Sequence, residues 1–146
     1  MNIFAAESEI LAPLATGWFL ENAWLIPVVP AIAFALIILI GKRLPMKGSE
    51  LGVLSMAISL VLSAGTAYQW VQRVNGASEE QFVSPVVRSW SWWQSGGLDF
   101  GIGQHIDGLS VVVLFVVAFI STLVQVYSLE YLRGDRRYTH FFAALT

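Results

Sequence analysis

The sequence predicts an all-α integral membrane protein with three complete transmembrane helices, the start of a fourth, and an extramembrane β-hairpin loop between helices 2 and 3. Three observations lead there. Of 146 residues, 56% are hydrophobic and 12% charged, whereas an ordinary soluble domain is roughly 25% charged. Three apolar runs are each long enough to cross a hydrocarbon core of about 30 Å. The basic residues gather in two short loops, Lys42, Arg43 and Lys47 in one and Arg133, Arg136 and Arg137 in the other, the asymmetry that orients membrane proteins.

The composition also excludes. A net charge of −2 lacks the basic footprint of a nucleic-acid partner. With no cysteine, disulfides, thiolate metal sites and cysteine-ligated iron–sulfur clusters are ruled out together. Any electron carrier has to sit in another subunit.

Residues 1–21 lack the basic n-region of a signal peptide and carry Glu7, Glu9 and Glu21. They read as an extramembrane N-terminal extension, either disordered or lying on the membrane surface over Ile10 to Leu20. Residues 22–146 form the membrane domain. Its first span covers about 24–41, with Pro27 and Pro30 in the first two turns and a bend expected at Pro30. Lys42, Arg43 and Lys47 then face one acid, Glu50, which puts loop 42–50 in the cytoplasm and the N-terminus outside.

The second span, about 51–71, aligns Ser55, Ser59, Ser63 and Thr66 on one face, with Gly52 a turn earlier. Small residues on one stripe let two helices approach closely. The alternative is a hydrated proton path, although hydroxyls alone do not titrate at accessible pH. Tyr68 and Trp70, with Trp18 and Trp24, make an aromatic belt at the outer interface.

Gln72 to Asp107 connects the second and third spans. Trp90, Trp92 and Trp93 precede a Gly96-Gly97 turn, after which Leu98, Phe100 and Ile102 alternate with Asp99, Gly101 and Gly103. Period-two alternation beyond a Gly-Gly turn predicts a hairpin, lying against the membrane domain or a neighbouring subunit by its Trp cluster. Gly101 and Gly103 imitate a dinucleotide fingerprint, but Ile106 occupies the third glycine position. His105 reads as a loop residue.

The third span, about 109–129, is the most apolar. Fourteen of its 21 residues are Leu, Ile, Val or Phe and none is charged, which favours insertion by about 4–8 kcal/mol. Its rise of about 31 Å matches the core. Ser110, Ser121, Gln125 and Ser128 share one face, which should meet protein; Gln125 is expected to hydrogen-bond across helices. Asp107 stands where an N-cap belongs, with the mouth of a proton pathway as the alternative role. Glu130 and Asp135 with the three arginines read as an interfacial ion-pair network or a docking point for a cytoplasmic partner. This cluster puts loop 130–137 in the cytoplasm, the same orientation as the first loop. From Tyr138 another apolar helix begins, and its nine residues reach less than half the hydrocarbon thickness, so the chain reads as a fragment cut within a fourth span.

Asp107-Gly-Leu-Ser110, the long span, Tyr127-Ser128, Tyr131-Leu-Arg-Gly-Asp135 and Tyr138-Thr-His-Phe-Phe142 resemble the start of the antiporter-like subunit L, or chain 5, of respiratory complex I. Trp90-Ser-Trp92 and Asp99 to Gly103 are similar to its outer loop, and the likeness covers about 22–146. His140 departs from the pattern. The resemblance implies a membrane-arm subunit of a proton-pumping NADH:quinone oxidoreductase in the plasma or inner membrane. It implies NADH, flavin and iron–sulfur clusters in partner subunits, none in this chain, and quinone bound elsewhere in the complex. In that family the titrating Glu and Lys lie on later helices, so no catalytic, cofactor-binding or metal-binding residue is assigned, and the span interiors here hold no ionisable group. A Na⁺/H⁺ antiporter large subunit shares this helical region; a stand-alone structural membrane protein is the other alternative.

Overall fold

The computed structural model describes residues 16–77, 83–132, 134 and 137–146. A short helix α1 (Trp18–Glu21) leads into α2 (Leu25–Ile40), which a 3-10 turn at Gly41–Arg43 closes. Helix α3 (Ser49–Asn75) runs back, strands β1 (Val86–Ser95) and β2 (Leu98–Ile106) follow, and α4 (Gly108–Tyr131) and α5 (Tyr138–Leu145) complete the order. Three helical segments, Leu25–Arg43, Ser49–Asn75 and Gly108–Tyr131, are long and apolar enough to cross a membrane.

Helix α3 extends beyond the 51–71 anticipated from hydropathy. Glu50 and Arg73 lie in its first and last turns; charge at a helix end interrupts an apolar run without interrupting backbone hydrogen bonding. The turn before it is tight. Lys47 (φ 55°) and Gly48 (φ 93°) both occupy the left-handed region, and Glu50 accepts a hydrogen bond from Met46 N at 2.9 Å.

Strands β1 and β2 pair antiparallel from Val86 opposite Ile106 to Ser95 opposite Leu98. Gly96 (φ 57°) and Gly97 (φ 85°) form the two-residue connection; positive φ at both central positions is the turn whose twist matches a hairpin. A bulge between Ser91 and Trp93 leaves Trp92 without a cross-strand partner. Its effect is on facing. Trp90 and Trp93 are three apart and would point to opposite sides of a regular strand, but the extra residue brings both onto the side of Phe100 and Ile102.

The foot of that side closes the hairpin end of the core. Val86 and Ile106 are buried with Leu20, Ala23, Ile26 and Val111, and Leu62, Trp70 and Leu114 pack around them. Nearer the tip, Trp92, Trp93, Leu98 and Phe100 are exposed. At the other end Ile37, Phe142 and Ala143 are buried. Residues 18–21, which the sequence assigns to the N-terminal extension, belong to this packing: Leu20 is fully buried, and Phe19 covers Gly65 so closely that a Cβ there would lie 2.8 Å from its ring. Met1 to Ala15, including the anticipated surface segment from Ile10, lie outside the described residues.

Candidate functional site

Pro30 sets up the first polar contact between the spans. It has no N–H to donate to the carbonyl of Ile26 four residues earlier, and that carbonyl would be stranded within the first two turns of α2. The Ser59 hydroxyl of α3 donates to it at 3.0 Å. One member of the hydroxyl row thus repairs the break that the proline makes in the neighbouring helix.

The remaining hydroxyls are also committed. Ser55 donates to Gly52 O at 2.8 Å, Ser63 to Leu60 O at 2.9 Å and Thr66 to Leu62 O at 2.9 Å. All four residues are buried. On α4, Thr122 donates to Ala118 O at 2.7 Å and lies 3.3 Å from Met56 O of α3, while Ser128 donates to Val124 O at 2.7 Å. A hydroxyl bonded to a backbone carbonyl has spent its only proton. As placed, the row lies buried with each hydroxyl proton committed to a backbone carbonyl.

Gln125 of α4 lies between Gly52 of α3 and Thr146, the residue that follows α5. It is fully buried, and its Nε2 donates to Thr146 Oγ1 at 2.9 Å. Thr146 in turn donates to Phe142 O at 2.7 Å. A Cβ on Gly52 would stand 2.9 Å from Thr146 Oγ1 and 3.0 Å from Gln125 Oε1, so glycine is what admits the pair. Gln125 Oε1 is buried without a hydrogen-bond partner. Ser121 and Ser110 of the same stripe are only partly buried.

Asp107 caps α4. Its Oδ1 accepts from Ser110 N at 2.8 Å and from Ser110 Oγ at 2.6 Å, satisfying one of the helix's free N–H groups. The Ser110 hydroxyl first, then its backbone N–H, hold the carboxyl below its ordinary pKa. His105 is exposed in β2. Glu130 lies exposed in the last turn of α4, beside the stacked rings of Tyr127 and Tyr131 at 5.6 Å. Asp135, Arg133 and Arg136 lie outside the described residues.

Three residues carry more of the hairpin end than the sequence suggests. Gln69 Oε1 accepts from the N–H groups of Phe19 and Leu20 at 2.9 and 3.2 Å. Gln104 Oε1 accepts from Trp24 N at 3.1 Å, and its Nε2 donates to Glu21 O at 2.9 Å and Leu20 O at 3.1 Å. Arg73 is buried; one guanidinium nitrogen donates to Ser84 O at 3.1 Å, and the group sits 6.0 Å from the Trp70 ring centroid. A lone Gln at the end of an apolar run or in a strand gives no periodic signal. Arg73 was hidden by lying just past the hydropathy boundary.

No ionisable Asp, Glu, Lys, Arg or His occupies the interior of α2, α3 or α4, and no three His, Asp or Glu gather to hold a metal among the described residues. What the arrangement does chemically is satisfy backbone groups inside an apolar medium, where each orphan costs several kcal/mol.

Residues 92–142 match the family described as NADH-Ubiquinone oxidoreductase (complex I), chain 5 N-terminus. The F(420)H(2) dehydrogenase subunit L of Methanosarcina mazei is 32% identical over 123 residues, covering 84% of this chain and 16% of that protein. The NADH-ubiquinone oxidoreductase chain 5 of Allomyces macrogynus is 31% identical over 119 residues, 81% of this chain and 18% of its own. The chloroplastic NAD(P)H-quinone oxidoreductase subunit 5 of Lemna minor is 29% identical over 133 residues, 86% and 17%. The chain spans about a sixth of the length of these relatives.

Proposed function

Because the chain is a multi-pass membrane protein related to the N-terminal part of complex I chain 5, the subunit L type, we propose that it serves as scaffold in the membrane arm of a proton-pumping NADH:quinone oxidoreductase. Its three spans hold neighbouring helices in register. The titrating groups that move protons lie outside these spans. The observation that carries this reading is the polar inventory of the spans: Ser55, Ser59, Ser63, Thr66 and Gln125 are buried, and each bonds a backbone or hydroxyl group instead of a titratable one. Proton relays inside membranes are built on Asp, Glu, Lys or His. NADH, flavin, iron–sulfur clusters and quinone belong, on this reading, to partner subunits. The basic loops face the cytoplasm and the hairpin the opposite side, following the bias of lysine and arginine.

Purification from native membranes through a tag on this chain tests the assignment. The expected eluate contains flavin- and iron–sulfur-bearing subunits and oxidises NADH at the expense of quinone. An eluate of small membrane subunits without redox proteins would instead make the chain part of a Na⁺/H⁺ antiporter.

A further inference from the structure

At the end of α2 opposite the hairpin, a cavity of about 330 Å³ opens between the helix, its 3-10 turn and α5. That volume falls at the lower end of the roughly 300–1,000 Å³ of small-ligand sites. Lys42 and Arg43 line it from one side and Thr139 and His140 from the other, and among the described residues no carboxylate lines it. Glu50, the acid of the same loop, is turned to Met46 N.

The other lining residues say more. Ile38 and Leu39 also line the cavity, in the last turn of α2 just before the 3-10 turn that carries Lys42 and Arg43. They are 56% and 76% exposed. Two cations and two uncovered aliphatic side chains on one cavity match a ligand with an anionic head and an apolar tail. A free phosphate would meet the cations and leave Ile38 and Leu39 bare.

We propose that this cavity binds the phosphodiester headgroup of an anionic phospholipid, with an acyl chain lying along Ile38 and Leu39. The site rests on the reading of α2 as a membrane span. Lys42 and Arg43 supply the charge, and Thr139 and His140 present polar groups across the cleft. Basic pockets between helix ends on the lysine- and arginine-rich side of a membrane suit such headgroups. Lys47, on the neighbouring cavity with Pro45, Met46 and Tyr138, belongs to a separate surface.

Photoactivatable phosphatidylglycerol and phosphatidylcholine, added separately to native membranes carrying the chain, test this by mapping crosslinks with mass spectrometry. The expected result is about a thirtyfold excess of phosphatidylglycerol crosslinks on peptides containing Ile38 to Arg43 and Thr139 to Ala143, given two cations near the headgroup. Replacing Lys42 and Arg43 together by Gln removes the excess, and Lys47→Gln keeps it. Equal labelling by the two lipids, or an excess that survives the double substitution, overturns the site. Loss of the excess on adding millimolar inorganic phosphate overturns the lipid and leaves the ion as ligand. Carbonate extraction separates this from the broader reading: a chain released from the membrane sinks both, whereas an embedded chain without lipid preference sinks this site alone.

Discussion

Ser59 carries a duty that its residue type does not announce. It supplies the proton that Pro30 withholds from Ile26 O, so Ser59→Ala should cost about 1–3 kcal/mol, the range for leaving a buried acceptor unsatisfied. Unfolding of the chain in mild detergent, compared with Ser55→Ala, measures it; Ser55 bonds only within its own helix and should cost less. Gln125→Leu removes one hydrogen bond and one orphaned oxygen together, so it should change stability by about 1 kcal/mol or less. Asp107 makes a pH prediction. Its folded pKa is depressed, so the cap's contribution is complete above about pH 4 and is lost as pH falls through the lowered value. Asp107→Ala should therefore lower the melting temperature at pH 7 and erase the acid-side decline below pH 4, while Asp107→Asn keeps an acceptor for Ser110 N and falls between. An unchanged acid limb in the alanine variant would show that the cap does not govern it.

Among the elements, the helices were legible because their physics is local: an apolar run, a proline near its start, a basic residue after its end. Hairpin pairing was legible for the same reason, from alternation beyond Gly96-Gly97. What the sequence concealed was the bulge. An extra residue at Trp92 is invisible to a period of two, and with it went the knowledge that Trp90 and Trp93 share a face with Phe100. Deleting Trp92 should remove the bulge and regularise the ladder, keeping Trp90 opposite Ile102 and Trp93 opposite Phe100, so the edge contact of Trp90 with Trp24, 6.4 Å between centroids, should persist; Trp fluorescence of the deletion close to that of Trp92→Ser reads the outcome. The turn gives a second test. Gly97→Val forces a β-branched residue to positive φ and should destabilise the hairpin by about 1–2 kcal/mol, whereas Gly96→Asn fits the turn's preference. Among the candidate residues, Asp107 was readable as a cap and Gln125 as an interhelical donor, since each stands against a contrasting background. Gln69, Gln104 and Arg73 were not, because their partners are 11 to 84 residues away in sequence.

Across the whole molecule, the two ends of the described helices differ in chemistry. One end carries the hairpin, Trp18, Trp24 and the buried Arg73; the other carries Lys42, Arg43, Lys47 and His140. Cysteine labelling of intact cells should modify Ser95→Cys at the hairpin tip and spare Met46→Cys in the basic loop, both exposed positions. The central claim is that the polar groups inside these spans hold helices together and carry no proton. It is tested most directly by the number of protons moved per NADH oxidised in membranes containing Gln125→Leu combined with Ser63→Ala. The account predicts an unchanged ratio, even if less enzyme assembles; a lowered ratio with NADH oxidation still running would contradict it.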